Sequence, residues 1–131
     1  MEKKILETND VMFEMADGIV YMTYKDGLKI TLENAKRIVI DRKKFTEGKI
    51  YPGIIFMTGL TSINREAREY LASDEAIIGI NACAVVSDSV FNKFLANFFL
   101  RISFVKPKMP AKLFTDKAKA LKWLEKYKEP R

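Results

Sequence analysis

Short apolar runs alternate along the chain with longer segments in which apolar residues recur every three or four positions. The first two runs, Val11–Ala16 and Ile19–Tyr24, are joined by Asp17-Gly18 alone. An Asp-Gly pair between two apolar runs is a strong hairpin signal, because it tolerates the positive φ angles of a two-residue turn. The sequence therefore predicts an antiparallel hairpin that the rest of the fold must accommodate.

Helical and strand-like segments alternate after the hairpin. Thr31 is placed to cap a helix over residues 32–43, and Ser62 or Asn64 can cap a helix over residues 65–72. Apolar runs and helical spacing predict further strands over residues 54–57, 82–86 and 112–115 and further helices over residues 89–104 and 117–128. The order ββαβαβαβα indicates an α/β fold with a mixed, mostly parallel sheet and helices packed on it. We expect residues 1–131 to form one domain, since domains commonly have roughly 100–150 residues.

The residue types that are missing exclude several kinds of active site. The chain has no His and a single cysteine, Cys83, so no Ser–His or Cys–His pair, disulfide framework or Cys-rich zinc site can form. Cys83 lies in an apolar run, where a buried and inert thiol is the usual case. The six glycines lack the spacing of a phosphate-cradling loop. We therefore expect no catalytic residues, no metal and no cofactor; an enzyme built on carboxylates would need a polar cleft that gathers several acids.

Positive charge is concentrated in the last third of the chain. Residues 93–131 contain eleven Lys and Arg against three Asp and Glu, although the whole chain carries a net charge of only +6. In the last predicted helix, Lys119, Lys122 and Lys126 have no exposed aromatic residues between them. Platforms for single-stranded nucleic acid combine cations with such aromatic residues, so we expect no nucleic-acid partner. The sequence has no secretory signal and no apolar stretch of the roughly 18–20 residues that span a membrane, and the expected compartment is the cytoplasm.

Residues 58–62 are predicted to be a loop between a buried strand and a helix. Free backbone amides at a helix N-terminus attract anions, so Thr58, Thr61 and Ser62 are candidates to bind or carry a phosphate. Ordinary capping of the following helix by these polar side chains is the alternative interpretation.

Residues 89–104 are rich in phenylalanine. One face of the predicted helix carries a core-facing apolar stripe, and further apolar residues lie beside basic ones. These further residues are a candidate patch for a lipid or other apolar ligand, an anionic membrane surface or a homodimer contact, and they are Phe99, Leu100, Arg101, Lys106 and Lys108. The alternative interpretation is a wide core stripe beneath a neighbouring loop.

Two parts of the chain have a recognisable pattern. The first reads IFMTGL over residues 55–60 and INREAREYLAS over residues 63–73. The second reads NFF over residues 97–99, KPKMP over 106–110, LFT over 113–115 and ALKWL over 120–124. Together with the element order, this pattern resembles bacterial SpoIIAA-like proteins of the STAS/SEC14 type, a largely uncharacterised group, over about residues 10–128.

The resemblance implies a mixed sheet with packed helices and a role in binding other proteins. Sporulation anti-sigma-factor antagonists of this type are switches phosphorylated on a serine that starts the second helix; that position corresponds to about Ser62, with Thr61 and Asn64 nearby. Their Asp-Ser-x-Gly phosphorylation motif is absent here, whereas a non-phosphorylated interaction surface needs no such motif. The resulting hypothesis is a non-catalytic regulatory module that binds an unidentified partner protein through residues 58–72. The SEC14 side of the resemblance implies the alternative, lipid or apolar-ligand binding through residues 89–104.

Overall fold

The structure of the protein is a computed structural model that describes residues 4–87 and 109–128. Its main sheet contains β1 (Lys4–Glu7), β2 (Val11–Ala16), β3 (Ile19–Tyr24), β5 (Tyr51–Phe56), β7 (Ile80–Val86) and β8 (Ala111–Phe114), in that spatial order. The first three strands pair antiparallel, and the pairs from β3 through β5 and β7 to β8 are parallel. The sheet is mixed and mostly parallel, as the sequence predicts.

The remaining elements connect and cover this sheet. Two short strands, β4 (Leu28–Ile30) and β6 (Leu60–Ile63), form a separate parallel pair. The helices of the described residues are α1 (Leu32–Phe45), α2 (Arg65–Leu71), α3 (Asp74–Ile77) and α4 (Lys117–Leu124), and a 3₁₀ turn at Glu125–Tyr127 follows α4. The parallel connection from β3 to β5 thus passes through α1, and the connection from β5 to β7 passes through α2 and α3.

The hairpin between β2 and β3 has the predicted turn. Both central residues have positive φ, 52° at Asp17 and 75° at Gly18, and the register pairs Ala16 with Ile19 across the turn. Positive φ at both central positions is the geometry that matches the right-handed twist of the flanking strands. The hairpin prediction is confirmed.

Helix α1 begins where the sequence indicates. Thr31 is its N-cap: the Thr31 Oγ1 accepts from the Asn34 N–H at 3.4 Å, and the Asn34 Oδ1 accepts from the Thr31 N–H at 3.1 Å. Asn34 Nδ2 and Arg37 Nε also donate to the carboxylate of Asp10, at 3.2 and 3.0 Å. Asp10 is buried, so this charge-assisted contact fixes the start of α1 against the start of β2.

Successive residues of the central strands point to opposite sides of the sheet, as the two-residue repeat of a strand requires. The side that packs against α4, which we call the α4 face, buries Ile19, Ile54, Ala82, Ala84, Ala120 and Leu124. The side that packs against α1 and α2, which we call the α1 face, buries residues that include Phe13, Ile38, Phe45, Ile55, Ala67 and Val85.

Four elements are missing from the predicted order, namely β1, β4, β6 and α3. The omission of β6 bears on the site, because the loop predicted over residues 58–62 becomes a strand from Leu60 onward. Leu60 and Ile63 are buried and the two residues between them are exposed, so this strand lacks the alternation that would reveal it. The last helix ends at Leu124, earlier than predicted. The helix predicted over residues 89–104 lies outside the described residues.

Candidate functional site

The predicted site residues Thr58, Thr61, Ser62 and Asn64 are all exposed, in the segment that joins β5 to α2. We refer to their side chains as the β6 surface. Thr58 lies in the turn after β5, Thr61 and Ser62 lie in β6, and Asn64 lies between β6 and α2. The fold therefore places the four residues in one short segment at the carboxyl end of β5, where ligands of open α/β sheets commonly bind.

The turn after β5 is fixed by Gly59. A Cβ atom at this position would stand 2.5 Å from the carbonyl oxygen of Tyr24 and 2.6 Å from that of Lys25. The Leu28 N–H donates to the Gly59 carbonyl at 3.2 Å, and the Leu60 N–H donates to the Met57 carbonyl at 2.9 Å. The backbone approach requires glycine, and it locks the start of the β6 surface against the end of β3.

Strand β6 presents two neighbouring hydroxyl groups to solvent. Thr61 and Ser62 are exposed, and Leu60 and Ile63 on either side are each 4% exposed. The register with β4 pairs Ser62 with Lys29, which is also exposed. Because paired residues of neighbouring strands lie about 5 Å apart, an acidic group at Ser62 would meet the positive charge of Lys29.

Of the two predicted caps of α2, the structure selects Asn64. Its Oδ1 accepts from the Ala67 N–H at 2.9 Å, and its backbone N–H donates to the carbonyl of Ile30 in β4 at 3.0 Å. Ser62 consequently lies two residues before the cap, inside β6, and does not start the helix. The position expected from the resemblance is corrected accordingly, and Asn64 has a structural role that Ser62 and Thr61 lack.

The outer side of α2 extends the β6 surface. Arg65, Glu66 and Glu69 are exposed, and Arg65 Nε lies 4.0 Å from Glu69 Oε1. On the inner side, Arg68 Nη1 donates to the carbonyl of Ile63 at 2.8 Å, which ties the helix to β6. The surface over residues 58–72 therefore combines hydroxyl groups with charges of both signs on a backbone that is held from beneath.

Three of the acids that an enzyme could use have separate contacts on the surface. Glu47 accepts from Lys4 Nζ at 3.2 Å, Glu75 accepts from the Tyr70 hydroxyl at 2.8 Å, and Glu69 faces Arg65. Within residues 4–87 and 109–128, no three acidic or thiol side chains come together in a group that could hold a metal ion.

A cavity on the α1 face is a feature that the sequence analysis missed. It has a volume of about 60 Å³ and lies between the sheet and the helices α1, α2 and α3. Its wall is mostly aliphatic, and its polar members are Arg42, Tyr24 and Cys83. A signal was present in the sequence, because Arg42 continues the buried stripe of α1 that runs through Ala35, Ile38 and Val39.

Burial alters the ionisation of all three polar groups in the cavity wall. Cys83 is buried, as the sequence predicts, and burial raises the pKa of its thiol to about 12. It also raises the pKa of Tyr24 and lowers the pKa of Arg42, because each charged form loses contact with water. The thiol and the phenol are therefore neutral at physiological pH, and the guanidinium is the charge in this group.

The second predicted patch lies outside the described residues; it consists of Phe99, Leu100, Arg101, Lys106 and Lys108. Its proposed contacts with a lipid, a membrane surface or a second copy of the chain stay predictions. Among the helices that the structure describes, none is long and apolar enough to cross a membrane.

Comparisons with known proteins identify the fold and the family. Residues 13–128 match the family described as "Domain of unknown function (DUF7793)". The structure is similar to the crystal structure of an uncharacterised protein of the DUF3478 family from Shewanella loihica PV-4, which has a SpoIIAA-like fold. The sequence identity is 16% and the TM-score is 0.60, and the match covers 94% of this chain and 92% of that chain. At this identity the likeness concerns the fold alone, and it confirms the predicted SpoIIAA-like fold.

Two further comparisons give no information on function. A protein of unknown function from Arthrobacter sp. FB24 shares 27% identity over 84% of this chain and 94% of that chain, with a TM-score of 0.31. None of the curated proteins matches the chain.

Proposed function

Because the chain belongs to the DUF7793 family and has a SpoIIAA-like fold, we propose that it is a non-catalytic interaction module that binds a partner protein through residues 58–72. The observation that supports this proposal is the outward presentation of Thr61 and Ser62 between the buried residues Leu60 and Ile63. Hydroxyl groups on an ordered strand can bind a partner without first losing backbone entropy, which favours recognition.

The rigidity of the β6 surface comes from contacts beneath it. Gly59 seats the preceding turn on the backbone of Tyr24 and Lys25, Asn64 caps the following helix, and Arg68 fastens that helix to the Ile63 carbonyl. The polar, mixed-charge character of the exposed side fits a transient partner better than a permanent one, since obligate interfaces are more apolar.

The chemistry of the chain supports binding over catalysis. The sequence has no His, which removes the usual general base at neutral pH. The thiol of Cys83 is buried, and its pKa of about 12 keeps it protonated, so it is a poor nucleophile. Glu47, Glu69 and Glu75 each have a different partner on the surface. A binding role needs none of these groups to be reactive.

A charged substitution at the centre of the β6 surface tests the proposal. Ser62→Arg places a bulky cation beside Lys29, whereas Asn9→Arg introduces the same side chain at an exposed position before β2. Affinity capture from the native host, followed by quantitative mass spectrometry, should lose a defined partner with Ser62→Arg and retain it with Asn9→Arg. Identical protein sets from wild type and both variants, at equal thermal stability, would contradict the proposal.

Regulation by phosphate on Ser62 is a finer proposal for the same surface. A phosphate there adds about two negative charges next to Lys29, so a partner that contacts either residue would respond. Ser62→Asp should change the amount of captured partner relative to Ser62→Ala, and phosphosite mapping of protein from the host checks whether the modification occurs. Equal capture by wild type, Ser62→Asp and Ser62→Ala would remove the switch and leave the interaction surface standing.

Lipid or apolar-ligand binding through residues 89–104 stays the second prediction. Native mass spectrometry of the purified protein and flotation with anionic liposomes test it, with Phe99→Asp as the variant that should lose binding. A protein that carries no bound mass and does not float with liposomes would contradict it. Sedimentation as a monomer at micromolar concentration would exclude a homodimer formed through the same residues.

A further inference from the structure

Arg42 is a buried cation on the α1 face. Arg42 is 6% exposed, and it lies on the same stripe of α1 as the buried Ala35, Ile38 and Val39. Its Nη2 donates to the carbonyl of Ile78 at 2.6 Å. In the part of the chain that the structure describes, no carboxylate pairs with this guanidinium; the ionisable groups that act on it are Cys83, Tyr24 and Tyr70.

A second arginine on the same helix makes the contrast clear. Arg37 has a side chain that is 44% exposed, and it nevertheless forms an ion pair of 3.0 Å with the buried carboxylate of Asp10. The exposed arginine has a counter-ion, and the buried one is held by a backbone carbonyl. Because arginine does not lose its proton inside a protein, a buried guanidinium without an anion is unfavourable unless something compensates its charge.

The cavity beside Arg42 is where that compensation can occur. Its volume of about 60 Å³ exceeds the roughly 10–15 Å³ that one water molecule needs, and it corresponds to about four to six heavy atoms. Tyr24 adds a neutral hydroxyl to the wall that Arg42 shares with it. The guanidinium has five N–H donors in a planar fork that suits a carboxylate, and the Ile78 carbonyl engages one of its nitrogen atoms.

The rest of the wall selects against a fully polar ligand. It consists of aliphatic side chains from the sheet, such as Met22 and Ile55, and from the helices, such as Ile38, Leu71 and Ile77. An inorganic anion would leave this wall without partners, whereas a short hydrocarbon tail would fill it. We infer that the cavity is a binding site for a short-chain monocarboxylate of acetate to butyrate size, whose carboxylate pairs with Arg42 and whose tail packs on the aliphatic wall.

This site is separate from the β6 surface, and its test does not depend on a partner protein. Wild-type protein with labelled Ile and Met methyl groups is titrated by NMR with sodium propionate up to about 50 mM, at constant ionic strength set with sodium chloride. We expect saturable shifts at the methyl groups of Met22, Ile38, Ile55 and Ile77. Propan-1-ol has the same length without the charge and should bind at least about tenfold more weakly.

Two variants test separately how the charge of Arg42 and the volume of the cavity contribute to propionate binding. Arg42→Met removes the cation with an apolar side chain of similar length and should abolish the propionate shifts, whereas Lys44→Gln, at an exposed position of the same helix, should leave them unchanged. Should Arg42→Met fail to fold, Ala76→Val keeps the cation and narrows the cavity, and it should weaken binding at least about tenfold.

Three results would overturn the inference. They are the absence of saturable shifts in the wild type, equal affinity for propionate and propan-1-ol, and undiminished propionate binding by a folded Arg42→Met protein.

Discussion

The α4 face and the α1 face belong to the same sheet, but they are packed differently. On the α4 face, Ala82, Ala84 and Ala120 are each 0% exposed, and their small side chains let Leu124 and its helix approach the strands closely. Aromatic side chains close the margin of this face: the rings of Trp123 and Tyr127 lie 5.1 Å apart. On the α1 face, the buried residues surround a cavity of about 60 Å³ that contains a guanidinium.

The difference indicates which face stabilises the fold and which is open to a ligand. Protein interiors are normally packed as densely as organic crystals, and an apolar residue in place of a buried charge is often neutral or stabilising. On the α4 face, the buried residues of the core are all apolar. On the α1 face, Arg42 is a buried charge. Stability alone does not account for a charge at this position, whereas binding of a ligand would. Matched positions on the two faces should therefore respond differently to the same substitution.

The largest effect on the free energy of unfolding is expected from Ile→Ala substitutions at two neighbouring residues of β5. Ile54 is 0% exposed on the α4 face, and Ile55 is 6% exposed in the cavity wall of the α1 face. Ile→Ala substitutions in cores cost about 2–5 kcal/mol. We expect Ile54→Ala near the top of that range and Ile55→Ala near the bottom, because a side chain beside a cavity has fewer contacts to lose.

Urea unfolding followed by the fluorescence of Trp123 measures both values. The two free energies of unfolding should differ by about 1 kcal/mol or more. Equal costs, or a greater cost at Ile55, would mean that the α1 face is packed as tightly as the α4 face and that the comparison is wrong.

A smaller effect is expected when side chains are enlarged. Ala120 in α4 and Ala76 in α3 are buried helical alanines, 0% and 3% exposed, and only Ala76 borders the cavity. Ala120→Val forces two methyl groups into a filled core and should cost about 1–3 kcal/mol. Ala76→Val can place them in the cavity, so its cost should stay within about 0.5–1 kcal/mol of zero, close to the helix propensity of valine.

The difference between the faces also explains how much the sequence could predict. The hairpin, the caps Thr31 and Asn64, the central strands and the α4 face follow from local rules: turn chemistry, capping and alternation of apolar residues. The cavity cannot be predicted from such local rules, because its volume depends on how three helices pack against the sheet. The sequence shows Arg42 as a member of a buried stripe, but only the folded structure shows that no carboxylate among residues 4–87 and 109–128 pairs with it.

The β6 surface illustrates the same limit at shorter range. Thr58, Thr61 and Ser62 lie between β5 and α2, as the sequence indicates, and all three are exposed; their role in binding stays a prediction. Strand β6 itself was missed, because it exists through its pairing with β4, about thirty residues earlier in the chain. Pairing between distant segments leaves little trace in a four-residue sequence.

The smallest expected effect depends on pH and concerns Cys83. This residue points to the α1 face, whereas its neighbours Ala82 and Ala84 point to the α4 face. Burial raises the pKa of its thiol from 9.0 to about 12. Below pH 9 the thiol keeps its proton in both the folded and the unfolded state, so it adds no pH dependence to the free energy of unfolding. Between pH 9 and 12 the unfolded thiol ionises and the buried thiol does not, so the free energy of unfolding falls as pH rises.

Cys83→Val removes this group at nearly constant volume and provides the control. Between about pH 8 and about pH 10, wild-type protein should lose about 1 kcal/mol more of its free energy of unfolding than Cys83→Val, since one pKa unit corresponds to about 1.4 kcal/mol. The raised pKa of Tyr24 acts in the same direction, but in both proteins and above pH 10. Equal losses in the two proteins would mean that water reaches the thiol through the cavity and lets it ionise in the folded state. The α1 face would then be open to solvent at β7 itself, and it would differ more from the α4 face, where Ala82 and Ala84 are each 0% exposed, than the static packing indicates.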